Sequence, residues 1–211
     1  MPKKFTEQER EWINGKLLAA GRQCFESYGL AKTSIADLTK AAGISQGAFY
    51  LFYGSKEELF FEVLQEDERH IRDKMLEAFP PGKAVGREDI RRFLLESLRM
   101  LDENPLLRRA IGGRELEGVM RKLPQEKLER NFAEDRDALL PVITAWQSAG
   151  LLSGCRPELI VSMIRSLVLL SLHREEIGEE LYPGTMELLA EVMAAGIASL
   201  PSGAEGGVKR D

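Results

Sequence analysis

Within the 26 residues from Ser34 to Leu59 this chain starts a helix three times and stops one twice, and few folds accommodate that rhythm. Ser34 precedes Ile35-Ala36-Asp37, so its hydroxyl can accept the third backbone N–H of a new helix while Asp37 reaches back to the cap, a capping box. Gly43 closes that helix where the chain must turn sharply and a positive φ is required. Ser45 then caps a short helix expected over residues 46–53, Gly54 ends it, and Ser55 with Glu58 opens a longer one to about residue 79. A helix of about nine residues, the turn Gly43-Ile44-Ser45 and a short second helix have the length and turn chemistry of a helix-turn-helix.

The remaining sequence reads as helix too, with no strand-like alternation and no internal repeat. A first helix starts at Thr6, boxed by Glu9, carries an apolar stripe at Ile13, Leu17, Ala20, Cys24 and Tyr28, and is expected to stop at Gly29. Ile35, Leu38, Ile44 and Phe49 would lock the second and third helices to it. Pro80-Pro81-Gly82 breaks the chain. A helix over 87–103 would turn Ile90, Phe93, Leu94, Leu98 and Leu101 inward, and Asn104-Pro105 and Gly112-Gly113 bracket an irregular helical piece. A helix over 125–149 should kink or restart at Pro141. Pro157 opens a very apolar helix to about 177, Tyr182-Pro183-Gly184 turns the chain, and Met186, Leu189, Met193, Ile197 and Leu200 stripe the last helix. The expected fold is all-α: a three-helix DNA-binding type domain over 6–54 with its motif at 34–53, a larger helical domain over 55–200, and a disordered tail over 201–211.

Composition narrows the function. The 211 residues suffice for one large or two small domains, and 44% hydrophobic with 30% charged residues is ordinary for a globular protein. Met-Pro-Lys-Lys has no apolar core behind it, and the richest apolar stretch, 159–172, is interrupted by Arg165, so a cytoplasmic location is expected. The net charge of −5 divides unevenly: residues 1–56 hold eight Lys/Arg against five Asp/Glu, about +3, and the remainder 21 against 29, or −8. Cys24 reads as a small core residue and Cys155 as a loop residue, with no metal or redox spacing. Asp67-x-x-His70 is half of a carboxylate-bridged metal motif without its second copy, and His70 reads as a surface residue. No cofactor or metal pattern is present: there is no H-E-x-x-H, no paired E-x-x-H and no G-x-x-x-x-G-K-[ST].

The third helix would expose Ser45, Gln46, Gly47 and Ala48. Gln can pair bidentately with adenine, small residues admit close approach, and Ala can touch a thymine methyl. Helix starts at Ser34 and Ser55 offer backbone N–H groups to phosphates. The run Thr33-Ser34-Ile35-Ala36-Asp37-Leu38 … Ala42-Gly43-Ile44-Ser45-Gln46-Gly47-Ala48-Phe49-Tyr50 … Tyr53 … Lys56-Glu57-Glu58-Leu59 resembles the signature of the tetracycline-repressor (TetR) family. The resemblance implies a bacterial DNA-binding regulator, with Thr33 and Ser34 holding a phosphate, Ser45, Gln46, Gly47 and Ala48 facing bases, Tyr50 bonding the DNA backbone and Lys56 neutralising a phosphate. Tyr53 replaces the usual phenylalanine, and Phe52 stands where a polar aromatic often meets a phosphate.

The resemblance also implies a C-terminal domain that binds a small-molecule effector and dimerises, so that a homodimer reads a palindromic operator on double-stranded DNA and the effector releases it. The sequence supports an interface independently, because the helix from Pro157 is too apolar to face water on any wide side and the last helix carries Ala190 and Ala194. Phe93, Leu101, Phe132, Trp146 and His173 are candidates to line a cavity or to be plain core, and the effector-binding residues are unassigned. An enzyme on an all-α bundle would need catalytic clusters that are missing. An interaction module that keeps the fold without reading DNA is the alternative that Leu51, Phe52 and the small basic excess leave open.

Overall fold

The computed structural model describes residues 5–78, 85–112, 115–151, 155–171 and 173–199. Every regular element among them is a helix: α1 (Glu7–Lys32), α2 (Ile35–Ala42), α3 (Gln46–Phe49), α4 (Lys56–Ala78), α5 (Arg87–Glu103), α6 (Pro105–Gly112), α7 (Glu115–Met120), α8 (Gln125–Ser148), α9 (Pro157–Ser171), α10 (Arg174–Ile177) and α11 (Tyr182–Ser199). Capping chemistry sets where the early helices begin. Thr6 Oγ1 accepts the Glu9 N–H at 3.2 Å while Glu9 accepts the Thr6 N–H at 2.8 Å. Ser34 and Asp37 exchange the same pair of bonds at 3.2 and 3.0 Å. Ser55 Oγ accepts the Glu58 N–H at 3.1 Å, but the Glu58 carboxylate reaches one residue further back, to the Gly54 N–H at 2.9 Å. Asn104 caps α6 by accepting the N–H groups of Leu106 and Leu107 at 3.0 and 2.9 Å.

The described residues divide into two compact units, those up to 69 with those between 104 and 125, and those between 70 and 103 with those from 126 on. In the first, Leu17, Phe25, Leu38, Phe49, Leu59 and Phe60 are all but sealed from solvent, and Phe25 meets Phe60 edge to face at 5.0 Å. Each such side chain contributes about 1.5–3 kcal/mol by burial. Arg22 of α1 pairs with Asp67 of α4 at 2.5 Å, Lys122 beyond α7 pairs with Glu57 at 2.7 Å, and Arg109 of α6 donates to the Glu26 carbonyl at 3.3 Å. In the second unit α5 lies along α11, and Arg87 and Arg91 both pair with Glu191. Ile90, Phe93, Leu94, Ile143, Trp146, Ile160, Ala190 and Ala194 form its core, with Phe93 against Trp146 edge to face at 5.5 Å.

Several expectations change. The helical run of α1 continues to Lys32, broken at Gly29 with φ 77° and ψ 168°, a region essentially reserved for glycine. Tyr28 is exposed rather than on the core stripe, and Phe25 takes the buried place. The third helix ends at Phe49 instead of Tyr53. The chain from Tyr50 to Tyr53 continues in tighter turns, with Phe52 N–H donating to the Phe49 carbonyl. α8 runs through Pro141 without restarting. The expected helix over 157–177 is two, α9 and α10. Pro183 and Gly184 lie inside the first turn of α11, where a missing N–H has no intrahelical acceptor to lose. Phe132 and His173 are exposed, so neither is core, while Phe93 and Trp146 are. Ala190 and Ala194 are buried within the protomer, so they are not the small residues of an outer face. The expected break at 80–82, Gly113, Leu200 and the tail over 201–211 lie outside the described residues.

Candidate nucleic-acid interface

The helix-turn-helix is built on one anchor. A four-residue helix cannot stabilise itself, since its first hydrogen bond fixes several residues at once. α3 is held by Phe49, 0% exposed, whose ring meets Tyr53 at 6.0 Å and Tyr50 at 5.5 Å. With Phe49 inward, Ser45, Gln46, Gly47 and Tyr50 share the solvent side, Tyr50 being 57% exposed, and Ala48 is half-buried. Gly43, at φ 70°, makes the turn that aims α3 away from α2. Ser45 Oγ accepts the Ala48 N–H at 3.1 Å.

Three residues named from the sequence are placed differently from the rest. Thr33 is 2% exposed, and its hydroxyl donates inward to the Gly29 carbonyl at 2.7 Å. Its hydroxyl therefore does not face a phosphate. The reason lies in the break at Gly29, which leaves a carbonyl without an intrahelical donor. Lys56 is turned the same way: its ammonium donates to the carbonyls of Leu30 at 2.7 Å, Thr33 at 2.7 Å and Ala31 at 3.4 Å. All three of its hydrogens are thus directed at the end of α1 and the link to α2, not at an outside phosphate. Ser34 is exposed, but its hydroxyl donates to Asp37 at 2.5 Å. That hydroxyl and the Ser34 N–H hold the Asp37 carboxyl below its ordinary range. The α2 start accordingly has a carboxylate already in place, and by helix geometry the N–H groups of Ile35 and Ala36 are those left for an outside anion.

The two departures, Tyr53 and Phe52, find partners that were not singled out. The Tyr53 hydroxyl donates to Asn14 Oδ1 at 2.6 Å, which gives a tyrosine at this place a partner on α1. Burial, reinforced by Glu62 and Glu66, pushes that phenol well above its usual range and keeps it a donor. Phe52 stacks with Phe5 at 6.1 Å, and the Arg10 guanidinium lies over its ring at 5.1 Å. Cys24 is buried, and burial raises its thiol, which removes the thiolate a redox sensor needs. Asp67 is engaged by Arg22 and His70 is exposed, and no described group of His, Cys, Asp or Glu could hold a metal ion. None of the described helices is long and apolar enough to cross a membrane.

Residues 17–63 match the family model "Bacterial regulatory proteins, tetR family". Over 58 residues the chain is 38% identical to the HTH-type transcriptional repressor AcnR of Corynebacterium jeikeium, an alignment covering 28% of this chain and 31% of that one. Such alignments span about a third of the length of the curated relatives they match. Over nearly the whole chain the fold is that of a TetR-family transcriptional regulator from Pectobacterium atrosepticum, with TM-score 0.73, 22% identity and coverage of 93% and 100% of the two chains. SmeT, the repressor of the Stenotrophomonas maltophilia multidrug efflux pump SmeDEF, superposes with TM-score 0.62 at 20% identity over 93% of this chain and 96% of its own. A second structure of SmeT is its complex with triclosan.

Proposed function

We propose that this chain, whose residues 17–63 match the model of the tetR family of bacterial regulatory proteins, is a ligand-responsive repressor that binds a palindromic operator as a homodimer. The observation that carries the DNA reading is α3 itself: Phe49 is sealed inside while Ser45, Gln46, Gly47 and Tyr50 stand outside, with Ala48 at the edge. In this reading Ser45 and Gln46 face base edges, Gly47 and Ala48 allow close approach, and Ser34 and Tyr50 meet the DNA backbone. Thr33 and Lys56 act indirectly, by fixing the α1–α2 link from which Ser34 and the α2 amides face outward.

A second copy of the chain is the partner that the outer faces of α9 and α11 suit. Leu159, Met163 and Leu170 on α9 recur at helical spacing and stay substantially exposed, as do Leu188 (63%) and Val192 (60%) on α11. Two such helices from each protomer would close a four-helix bundle and set two recognition helices for two half-sites. A small-molecule effector, of the kind SmeT holds with triclosan, would bind the C-terminal helical unit better in the conformation unable to span the operator. Driving that equilibrium from 99:1 to 1:99 takes about 5.5 kcal/mol of differential affinity. The site of action is the cytoplasm.

Selection of duplexes from a random library tests the reading. The wild-type chain should enrich a short palindrome. Gln46→Ala should then bind it roughly 5- to 150-fold more weakly per half-site and accept other bases at one position in each, since a bidentate base contact is worth about 1–3 kcal/mol. A library that yields no enriched sequence would favour a binding module without DNA recognition. Unchanged affinity in both Gln46→Ala and Tyr50→Ala would sink the site.

A further inference from the structure

Phe52 ends the motif with a ring that has no polar atom, yet that ring is occupied. The Arg10 guanidinium lies over it, 5.1 Å from the centroid, and Phe5 packs beside it at 6.1 Å. Arg10 is the single cation among residues 7–11, where Glu7, Glu9 and Glu11 surround it in sequence. It is exposed, and among the described residues it makes no ion pair with a carboxylate. A guanidinium held by an aromatic face keeps its N–H donors free at the edge of the plane, and their fork matches a phosphate bidentately. Through Phe52, two residues beyond exposed Tyr50, this charge is fastened beside the end of the recognition helix.

We propose that Arg10 contacts a DNA phosphate flanking the groove that α3 enters, and that Phe52, steadied by Phe5, is the residue that positions it. The motif thereby obtains from α1 the backbone contact that an apolar residue 52 cannot make. This rests on the DNA-reading function proposed above and adds to it a contact outside the helix-turn-helix. It also gives a use to an aromatic whose apolar character otherwise argues against DNA contact at that place.

The test is salt-dependent fluorescence anisotropy with a duplex that the wild-type chain has selected from a random library. Each phosphate contact contributes about 0.9 to the slope of log affinity against log salt. Arg10→Ala should therefore lower the slope by about 1.8 for a bound dimer, and its deficit in affinity should narrow roughly tenfold between 50 and 200 mM salt. Phe52→Trp, which keeps an aromatic face, should retain the wild-type slope, whereas Phe52→Leu should behave in the direction of Arg10→Ala. Arg10→Ala/Phe52→His should recover part of the lost affinity through a polar atom at residue 52 but not the slope, because a neutral imidazole releases no counterion. Thermal unfolding of each variant separates this from misfolding, since an exposed Arg10 should leave the midpoint nearly unchanged. Wild-type affinity and slope in Arg10→Ala would overturn the assignment while leaving the regulator reading intact. A wild-type chain that selects no duplex would overturn both.

Discussion

Replacing Lys56 by methionine separates two roles that a lysine at this place can play. In the structure the ammonium bonds the Leu30 and Thr33 carbonyls at 2.7 Å each and the Ala31 carbonyl at 3.4 Å. Methionine keeps the stem and removes the donors. A hydrogen bond to a charged group is worth about 1.5–3 kcal/mol. Two short ones, discounted because water reaches half-buried Lys56, give a loss of about 2–4 kcal/mol. For a chain of this size that lowers the thermal midpoint by about 4–16 °C, a large part of a typical stability of about 5–15 kcal/mol. Circular dichroism melts measure the first quantity, and the salt slope of DNA binding measures the second. A clamp predicts a lower midpoint with an unchanged slope. A direct phosphate contact predicts a near-normal midpoint and a slope reduced by about 0.9 per protomer. The second pattern would refute the inward role argued from these three carbonyls.

Other perturbations follow from single contacts. Tyr53→Phe removes the donor to Asn14 Oδ1 and should cost about 0.5–1.5 kcal/mol in a denaturant titration, with a much smaller effect in an Asn14→Leu background; a Tyr53→Phe chain more stable than wild type would contradict it. Gly29→Ala should cost about 1–3 kcal/mol, because the backbone there has φ 77° and ψ 168°, and the new Cβ would lie 2.5 Å from Arg109 Nη2; Arg109→Ala should relieve the crowding but not the backbone strain. Ser34 holds Asp37 below the ordinary carboxylate range in the folded chain, so the cap adds stability above that range and loses it as pH falls through the depressed folded value. Asp37→Asn should flatten the acid limb of a plot of thermal midpoint against pH, and an unchanged limb would exclude the cap as its source.

What could be read from the sequence was local, and what could not was distant. The boxes at Thr6 and Ser34 join residues three apart, so the letters alone carry them. The cap at Ser55 already extends by one residue, because the turn before α4 brings the Gly54 N–H within reach of the Glu58 carboxylate. Lys56 and Thr33 look like phosphate ligands in a linear motif, yet the carbonyls that claim Lys56 are 23 to 26 residues earlier. Tyr53 finds Asn14 across 39 residues. Tyr28 fits the apolar stripe by spacing and still faces water, since the helix breaks at the next residue and Phe25 fills the core. Ala190 and Ala194 look like interface residues by size, but size does not say which face of α11 turns outward. Leu188 and Val192 on the other face do so.

The single ring of Phe49 divides the labour within α3 between holding and reading. Because a sealed side chain supports the helix, the outward positions 45, 46, 47 and 50 carry little of the core's packing. Substitutions at 46, 47 and 50 can therefore alter the outward face while the scaffold stays folded, whereas Ser45 also caps the helix. The inner residue, by contrast, is closed to change: Phe49→Ala would leave a void costing about 3–5 kcal/mol and remove the support on which the outward residues depend. A helix built this way can change its outward residues at a handful of sites with little effect on the core that supports it.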